Sequence, residues 1–120
     1  MLKAIYFGKI KKETTERLLE KYGKEGSFLL RDSESLRGAL CLCVRNAPFV
    51  HTYRIEQSAQ GWAVQTLDGA KPQWFQSVDE LLECYRRLRP ENMAPLLYPL
   101  ERTQLSTAES LLKEPVYMEM

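Results

Sequence analysis

Polar and apolar positions repeat with two different periods along the chain. Between residues 12 and 22, Leu18, Leu19 and Tyr22 recur at i, i+1 and i+4, Glu13 precedes Arg17 by one helical turn, and Gly23 follows as a stop. This spacing predicts an amphipathic helix. Three apolar, strand-like runs come next: Ser27 to Ser33, Ala39 to Arg45 (Ala-Leu-Cys-Leu-Cys-Val-Arg) and Val50 to Glu56 (Val-His-Thr-Tyr-Arg-Ile-Glu). Turn-rich segments at Asp32 to Gly38 and Asn46 to Pro48 join them, and connections that short make neighbouring strands antiparallel. A shorter strand is expected from Gly61 to Thr66, before the Leu67-Asp68-Gly69 turn. Ser77-Val78-Asp79-Glu80 then fits a capping box, and Val78, Leu81, Leu82 and Tyr85 form an i, i+3, i+4, i+7 stripe. Arg86, Arg87 and Arg89 suit the C-terminal end of that second helix, where the dipole favours cations, and Pro90 ends it.

Helix, antiparallel strands and helix in that order predict an α+β fold, a central antiparallel sheet flanked by two helices. With 120 residues, one domain is expected, and after Pro99 the chain turns polar, so residues 101 to 120 read as a tail. A net charge of +1 gives no bulk reason to bind nucleic acid or a membrane surface, so any anion site must be local. Cys41, Cys43 and Cys84 show neither a disulfide framework nor metal-ligand spacing and read as reduced thiols of a cytoplasmic protein. No run is long and apolar enough to span a bilayer. A monomer without cofactor or metal is expected.

The chemistry is concentrated in Phe28-Leu29-Leu30-Arg31-Asp32-Ser33-Glu34-Ser35, where an arginine is embedded in an apolar strand and followed by a loop of hydroxyls and turn formers. A buried guanidinium without a partner costs several kcal/mol, so Arg31 must meet a carboxylate or an external anion. Backbone amides of the loop and the hydroxyls of Ser33 and Ser35 can converge as donors, while the arginine fork matches phosphate oxygens two at a time. Thr52 and Arg54 share one strand face, and Cys41 on the strand between can point the same way, toward Arg31. Lys12 would close the pocket from above. A deep arginine reached past a second one at the lip selects a long phosphorylated side chain, which phosphotyrosine is and phosphoserine is not.

Ile5-Tyr6-Phe7-Gly8-Lys9-Ile10, Gly26-Ser27-Phe28-Leu29-Leu30-Arg31-Asp32-Ser33-Glu34-Ser35, Gly38-Ala39-Leu40-Cys41-Leu42-Cys43-Val44 and His51-Thr52-Tyr53-Arg54-Ile55 resemble the successive blocks of a Src-homology-2 (SH2) domain over residues 5 to 100. The resemblance implies that Arg31 binds phosphate bidentately, that Ser33, Glu34 and Ser35 form the phosphate loop, with Glu34 acting mainly through its amide, and that Lys12 and Arg54 flank the phosphotyrosine ring. It also implies that Tyr53 and Tyr85 shape a pocket for the third residue after the phosphotyrosine, with His51 as a strand residue lining the peptide. Arg-Asp-Ser-Glu-Ser, Cys-Leu-Cys-Val and Thr-Tyr-Arg-Ile are most similar to the free-standing SLAM-associated adaptors of lymphocyte receptors, and next to the SH2 domain of inositol phosphatases. The resemblance departs at Ile5, where the family's usual tryptophan is replaced, and between Arg89 and Pro95, which lacks the glycine common before the last strand. In one adaptor of that group an arginine after the phenylalanine matching Phe75 docks a kinase; Gln76 stands there, so that route is not expected.

Glu114-Pro115-Val116-Tyr117-Met118-Glu119-Met120 places a tyrosine beside acidic residues. Phosphorylated, Tyr117 with Met118 and Met120 would resemble a docking motif for the SH2 domains of the phosphoinositide 3-kinase regulatory subunit. An unmodified surface tyrosine is the plain alternative. A catalytic role is not expected: His51, the only histidine, lacks a sequence-visible nucleophile with an orienting partner, and Cys41 and Cys43 lack the exposed electropositive setting of a reactive thiolate. Trp62, Trp74 and Phe75 are assigned to packing rather than base stacking.

Overall fold

The computed structural model describes residues 1–65 and 71–105. The chain runs α1 (Leu2–Ile5), α2 (Lys12–Tyr22), β1 (Ser27–Asp32), β2 (Leu40–Asn46), β3 (Phe49–Ser58), β4 (Gly61–Val64), α3 (Val78–Leu88) and β5 (Tyr98–Pro99), with a 3-10 turn over Arg102–Leu105. One sheet of order β4-β3-β2-β1-β5 holds them together. The first four strands form the expected antiparallel meander. β5 adds to β1 in parallel through Ser27↔Tyr98 and Phe28↔Pro99, a pairing across most of the chain that no local pattern announces.

Alternation along each strand divides the apolar residues between two faces. Leu29, Cys41 and Cys43 pack with Leu18 and Leu19 of α2 and with Leu100. Phe28, Leu30, Leu42, Val44 and Ile55 pack with Ile5 and with Val78, Leu81 and Leu82 of α3. A helix therefore covers each face of the sheet.

The second helix starts as its cap predicts: the Ser77 hydroxyl oxygen accepts the Glu80 N–H at 3.1 Å. Glu80 reaches back to the amide of Gln76 at 3.2 Å, one residue earlier than in an ideal capping box. At its other end Arg89 adopts the left-handed conformation, φ 50°, which a glycine more often supplies. The stop is thus made by Arg89, one residue before Pro90. α2 is fastened to the sheet by Arg45, whose Nη1 donates to the Gly23 carbonyl at 2.7 Å and to that of Leu19 at 3.3 Å. This clamp gives the Gly23 carbonyl a partner and adds a second donor to the Leu19 carbonyl, which also accepts the Gly23 N–H.

The fourth strand is shorter than expected, Gly61–Val64, and Thr66 lies outside the described residues, as does the Leu67-Asp68-Gly69 turn. Gly61 has φ +126°, and a Cβ there would sit 2.3 Å from the Phe75 carbonyl oxygen. Only glycine permits that approach, which brings Trp62 and Phe75 into an antiparallel bridge.

Candidate phosphate-binding site

Strand register sets the site. Arg31 stands opposite Cys41, and Cys41 stands opposite Arg54, so three adjacent strands present Arg31, Cys41 and Arg54 in one row on the α2 face. Thr52, opposite Cys43, lies one step along on that face. The sequence-level alignment of Thr52, Arg54 and Cys41 toward Arg31 is therefore the one observed.

Arg31 is 4% exposed. Its Nη1 donates to the Asp32 carbonyl at 3.1 Å and lies 3.9 Å from Oε2 of Glu34, while its buried Nε has no hydrogen-bond partner among the described residues. A desolvated guanidinium with an unused N–H, next to a loop of donors, is built for an anion.

The loop is organised by its own side chains. The Ser33 oxygen accepts the Leu36 N–H at 3.1 Å, and the Ser35 oxygen accepts from Nη2 of Arg54 at 3.0 Å. Both hydroxyls retain an O–H to donate. Ser33, Glu34 and Ser35 line a cleft of about 500 Å³ together with Lys9, Asp32, Arg37, Gly38 and Ala39. Lys9 and Arg37 are further cations on the wall of this cleft, which the loop shares but Arg31 itself does not line. The Glu34 carboxylate is more engaged than expected: its Oε2 accepts the backbone N–H of Lys12 at 2.9 Å. Lys12 is thus tied to the loop through its amide, at the exposed first turn of α2.

A second cavity of about 660 Å³ gathers most of the remaining predicted residues: Cys41, His51, Thr52, Tyr53, Arg54 and Tyr85, joined by Val64, Gln65, Pro90, Asn92 and Met93. It takes in both faces of β3, because Thr52 and Arg54 point to the α2 side and His51 and Tyr53 to the α3 side. β4 pairs with β3 only from Ile55 to Ser58, so among the described residues no strand covers the β3 edge from Phe49 to Tyr53. Phe49, His51 and Tyr53 form a ladder, with ring centroids 6.2 and 6.3 Å apart. Tyr85 is backed edge-on by Phe75 at 6.0 Å. The Tyr53 hydroxyl accepts the Ala94 N–H at 2.9 Å and so fixes the loop that carries Asn92 and Met93.

Burial pushes the Cys43 thiol up to about 11, against the opposing pull of Arg31 and the Thr52 hydroxyl. It is held neutral, which fits packing rather than nucleophilic chemistry. Tyr6 donates to Asp32 at 2.5 Å, and that hydrogen bond is the main cause of its raised pKa. Burial raises that of Tyr85. Among the described residues no group of three or more His, Cys, Asp or Glu could hold a metal ion, and no helix is long and apolar enough to cross a membrane. Tyr117 lies outside the described residues.

A five-stranded sheet between two helices, with a buried arginine on β1 next to a serine-rich loop, is the architecture of an anion-binding module. A profile of the SH2 domain matches residues 5–85, and the chain belongs to that family of non-catalytic, phosphotyrosine-binding signalling modules. It is similar to human SH2 domain-containing protein 1B, with 42% identity over 102 residues that cover 84% of this chain and 77% of that protein. It is also similar to phosphatidylinositol 3,4,5-trisphosphate 5-phosphatase 1 of Xenopus laevis, with 43% identity over 82% of this chain and 10% of the enzyme. For phosphatidylinositol 3,4,5-trisphosphate 5-phosphatase 2A of Danio rerio the identity is 42%, over 79% of this chain and 8% of the enzyme. The chain therefore spans only about a tenth of these phosphatases.

Proposed function

We propose that the protein is a cytoplasmic adaptor that captures tyrosine-phosphorylated receptor tails, such as those of SLAM-family-like immune receptors, with Arg31 gripping the phosphate. The observation that carries this reading is the buried Arg31 with its unpartnered Nε, aligned with Cys41 and Arg54 and adjoining the Ser33–Ser35 loop. In this reading Ser33, Glu34, Ser35, Thr52 and Cys41 complete the phosphate pocket, and Lys12 and Arg54 flank the ring. The peptide crosses the uncovered edge of β3, past His51, toward Tyr53 and Tyr85, where the third following residue is read. Residues 5–100 act as the binding domain and residues 101–120 as a tail. Phosphorylated Tyr117 then docks SH2 domains of a downstream enzyme such as the phosphoinositide 3-kinase regulatory subunit. Extensive similarity to a small SH2 protein supports the adaptor reading.

Calorimetry with a Thr-x-Tyr(P)-x-x-Val/Ile peptide tests the site. Binding near micromolar, about −8 kcal/mol, is expected, and Arg31→Ala should weaken it by about 2–5 kcal/mol by leaving the phosphate without its partner. A mutant that binds as well as the wild type would sink the assignment. The similarity to two inositol phosphatases favours a second reading, in which the chain is the targeting segment of a larger signalling enzyme. Sequencing the full-length transcript distinguishes the two: an open reading frame continuing into a phosphatase domain selects the second.

A further inference from the structure

Glu34 stands at a point that a phosphate would also claim. One carboxylate oxygen, Oε2, accepts the Lys12 N–H at the start of α2 at 2.9 Å and lies 3.9 Å from Nη1 of Arg31. The two partners differ in exposure: the Arg31 side chain is 5% exposed, whereas that of Glu34 is 53% exposed, with solvent to turn into. The loop backbone need not follow, because the Ser33 oxygen holds the Leu36 amide independently of Glu34.

We propose that Glu34 is an internal occupant of the phosphate pocket, compensating Arg31 when no ligand is present and exchanged for phosphate on binding. The inference rests on the phosphotyrosine reading above and concerns how that site is regulated. A phosphate dianion drawn to the same guanidinium is repelled by the Glu34 carboxylate already beside it. Binding is therefore an exchange of anions rather than the filling of an empty pocket. This exchange sets a threshold. A singly charged group offers Arg31 no more charge than Glu34 already does, and a neutral tyrosine offers none. A doubly charged phosphate offers more and can make bidentate contacts besides. Glu34 thus lowers affinity for every anion and leaves the dianion as the ligand able to displace it.

Glu34→Gln tests the exchange, because the amide oxygen can still accept the Lys12 N–H while the charge is gone. Binding of the phosphotyrosine peptide is measured by calorimetry, with Glu13→Gln as the control for the same change in net charge at the first turn of the same helix. We expect Glu34→Gln to bind about fivefold tighter, the scale of one partly exposed charge interaction, and Glu13→Gln to differ by less than about twofold. A gain for Glu34→Gln no larger than the control's, or a loss, overturns the proposal. In a second measurement, the backbone amide resonance of Lys12 should move when peptide is added to the wild type and should already be displaced in free Glu34→Ala. A Lys12 amide unmoved by saturating peptide overturns the proposal even if Glu34→Gln folds poorly. Absence of wild-type binding overturns the phosphotyrosine reading itself, which distinguishes that failure from failure of the exchange.

Discussion

The two ends of the groove are built in different ways. The phosphate end rests on three consecutive strands of one meander, whose register puts Arg31, Cys41 and Arg54 in line. The far end is assembled from separate segments: Tyr53 from β3, Val64 and Gln65 at the end of β4, Tyr85 from α3, and Pro90, Asn92 and Met93 from the following loop. Chemistry common to the family is set at the end where local sequence dictates geometry. In the proposed reading selectivity falls to the end where long-range contacts dictate geometry, so the two ends should fail under different substitutions.

The largest separation of the two ends should come from Gly61→Ala. A Cβ at φ +126° and 2.3 Å from the Phe75 oxygen forces the Trp62–Phe75 bridge apart, and Phe75 is the ring behind Tyr85. We expect a loss of about 2–4 kcal/mol in denaturant unfolding. Below the melting transition, binding of phenyl phosphate should persist while discrimination at the third peptide position is lost. Equal loss of both would show that the two ends are not separable.

The same division explains what could be read from sequence. Both main helices, the meander and the Arg31 loop rest on short-range signals: periodicity, a serine cap, turn residues and tight connections. Arg45 looked like an ordinary strand end, and its role in closing α2 depends on where Gly23 returns in space. The pairing of β5 with β1 joins residues from opposite ends of the domain, and the bond from Tyr53 to Ala94 joins a strand to a loop. Pro90 signals where α3 ends, but the left-handed turn that ends it is made by Arg89, a residue type that does not announce that conformation. Glu34 was expected to act through its amide, and nothing in its neighbours indicated that its carboxylate would turn onto the Lys12 amide.

A pH titration should sharpen the comparison through Cys43, on the strand face of Arg31, whose contribution is about 2–3 kcal/mol. Cys43 is raised from 9.0 to about 11 by burial, so the folded state holds its proton more tightly than the unfolded chain does. That stability is fully present below about pH 9 and is lost as pH rises through about 11. The raised values of Tyr6 and Tyr85 act with the same sign. Unfolding free energy measured between pH 8 and 11 should therefore fall, and Cys43→Ala should fall less steeply than the wild type. Identical slopes would show that the thiol is not held neutral by the fold.

The smallest effect, and the most selective, should come from Tyr53→Phe. The ring keeps its place against the α3-face core, while the acceptor for the Ala94 N–H is removed. Ala94 is buried, so its amide is left with less access to water, at a cost of about 1 kcal/mol. The loop from Pro90 to Ala94 then loses the anchor that fixes Asn92 and Met93 along the groove. Nothing on the α2 face changes, because Tyr53 points away from Arg31 and Arg54. Phenyl phosphate should bind as in the wild type. A peptide series varied only at the third residue after the phosphotyrosine should show a preference compressed by about fivefold, the equivalent of that lost hydrogen bond. If the preference survives intact, selectivity resides in the walls formed by Tyr85 and Val64 rather than in the anchored loop. If phenyl phosphate weakens as well, the two ends communicate through β3, and the division between grip and readout fails at the residue where it should be cleanest.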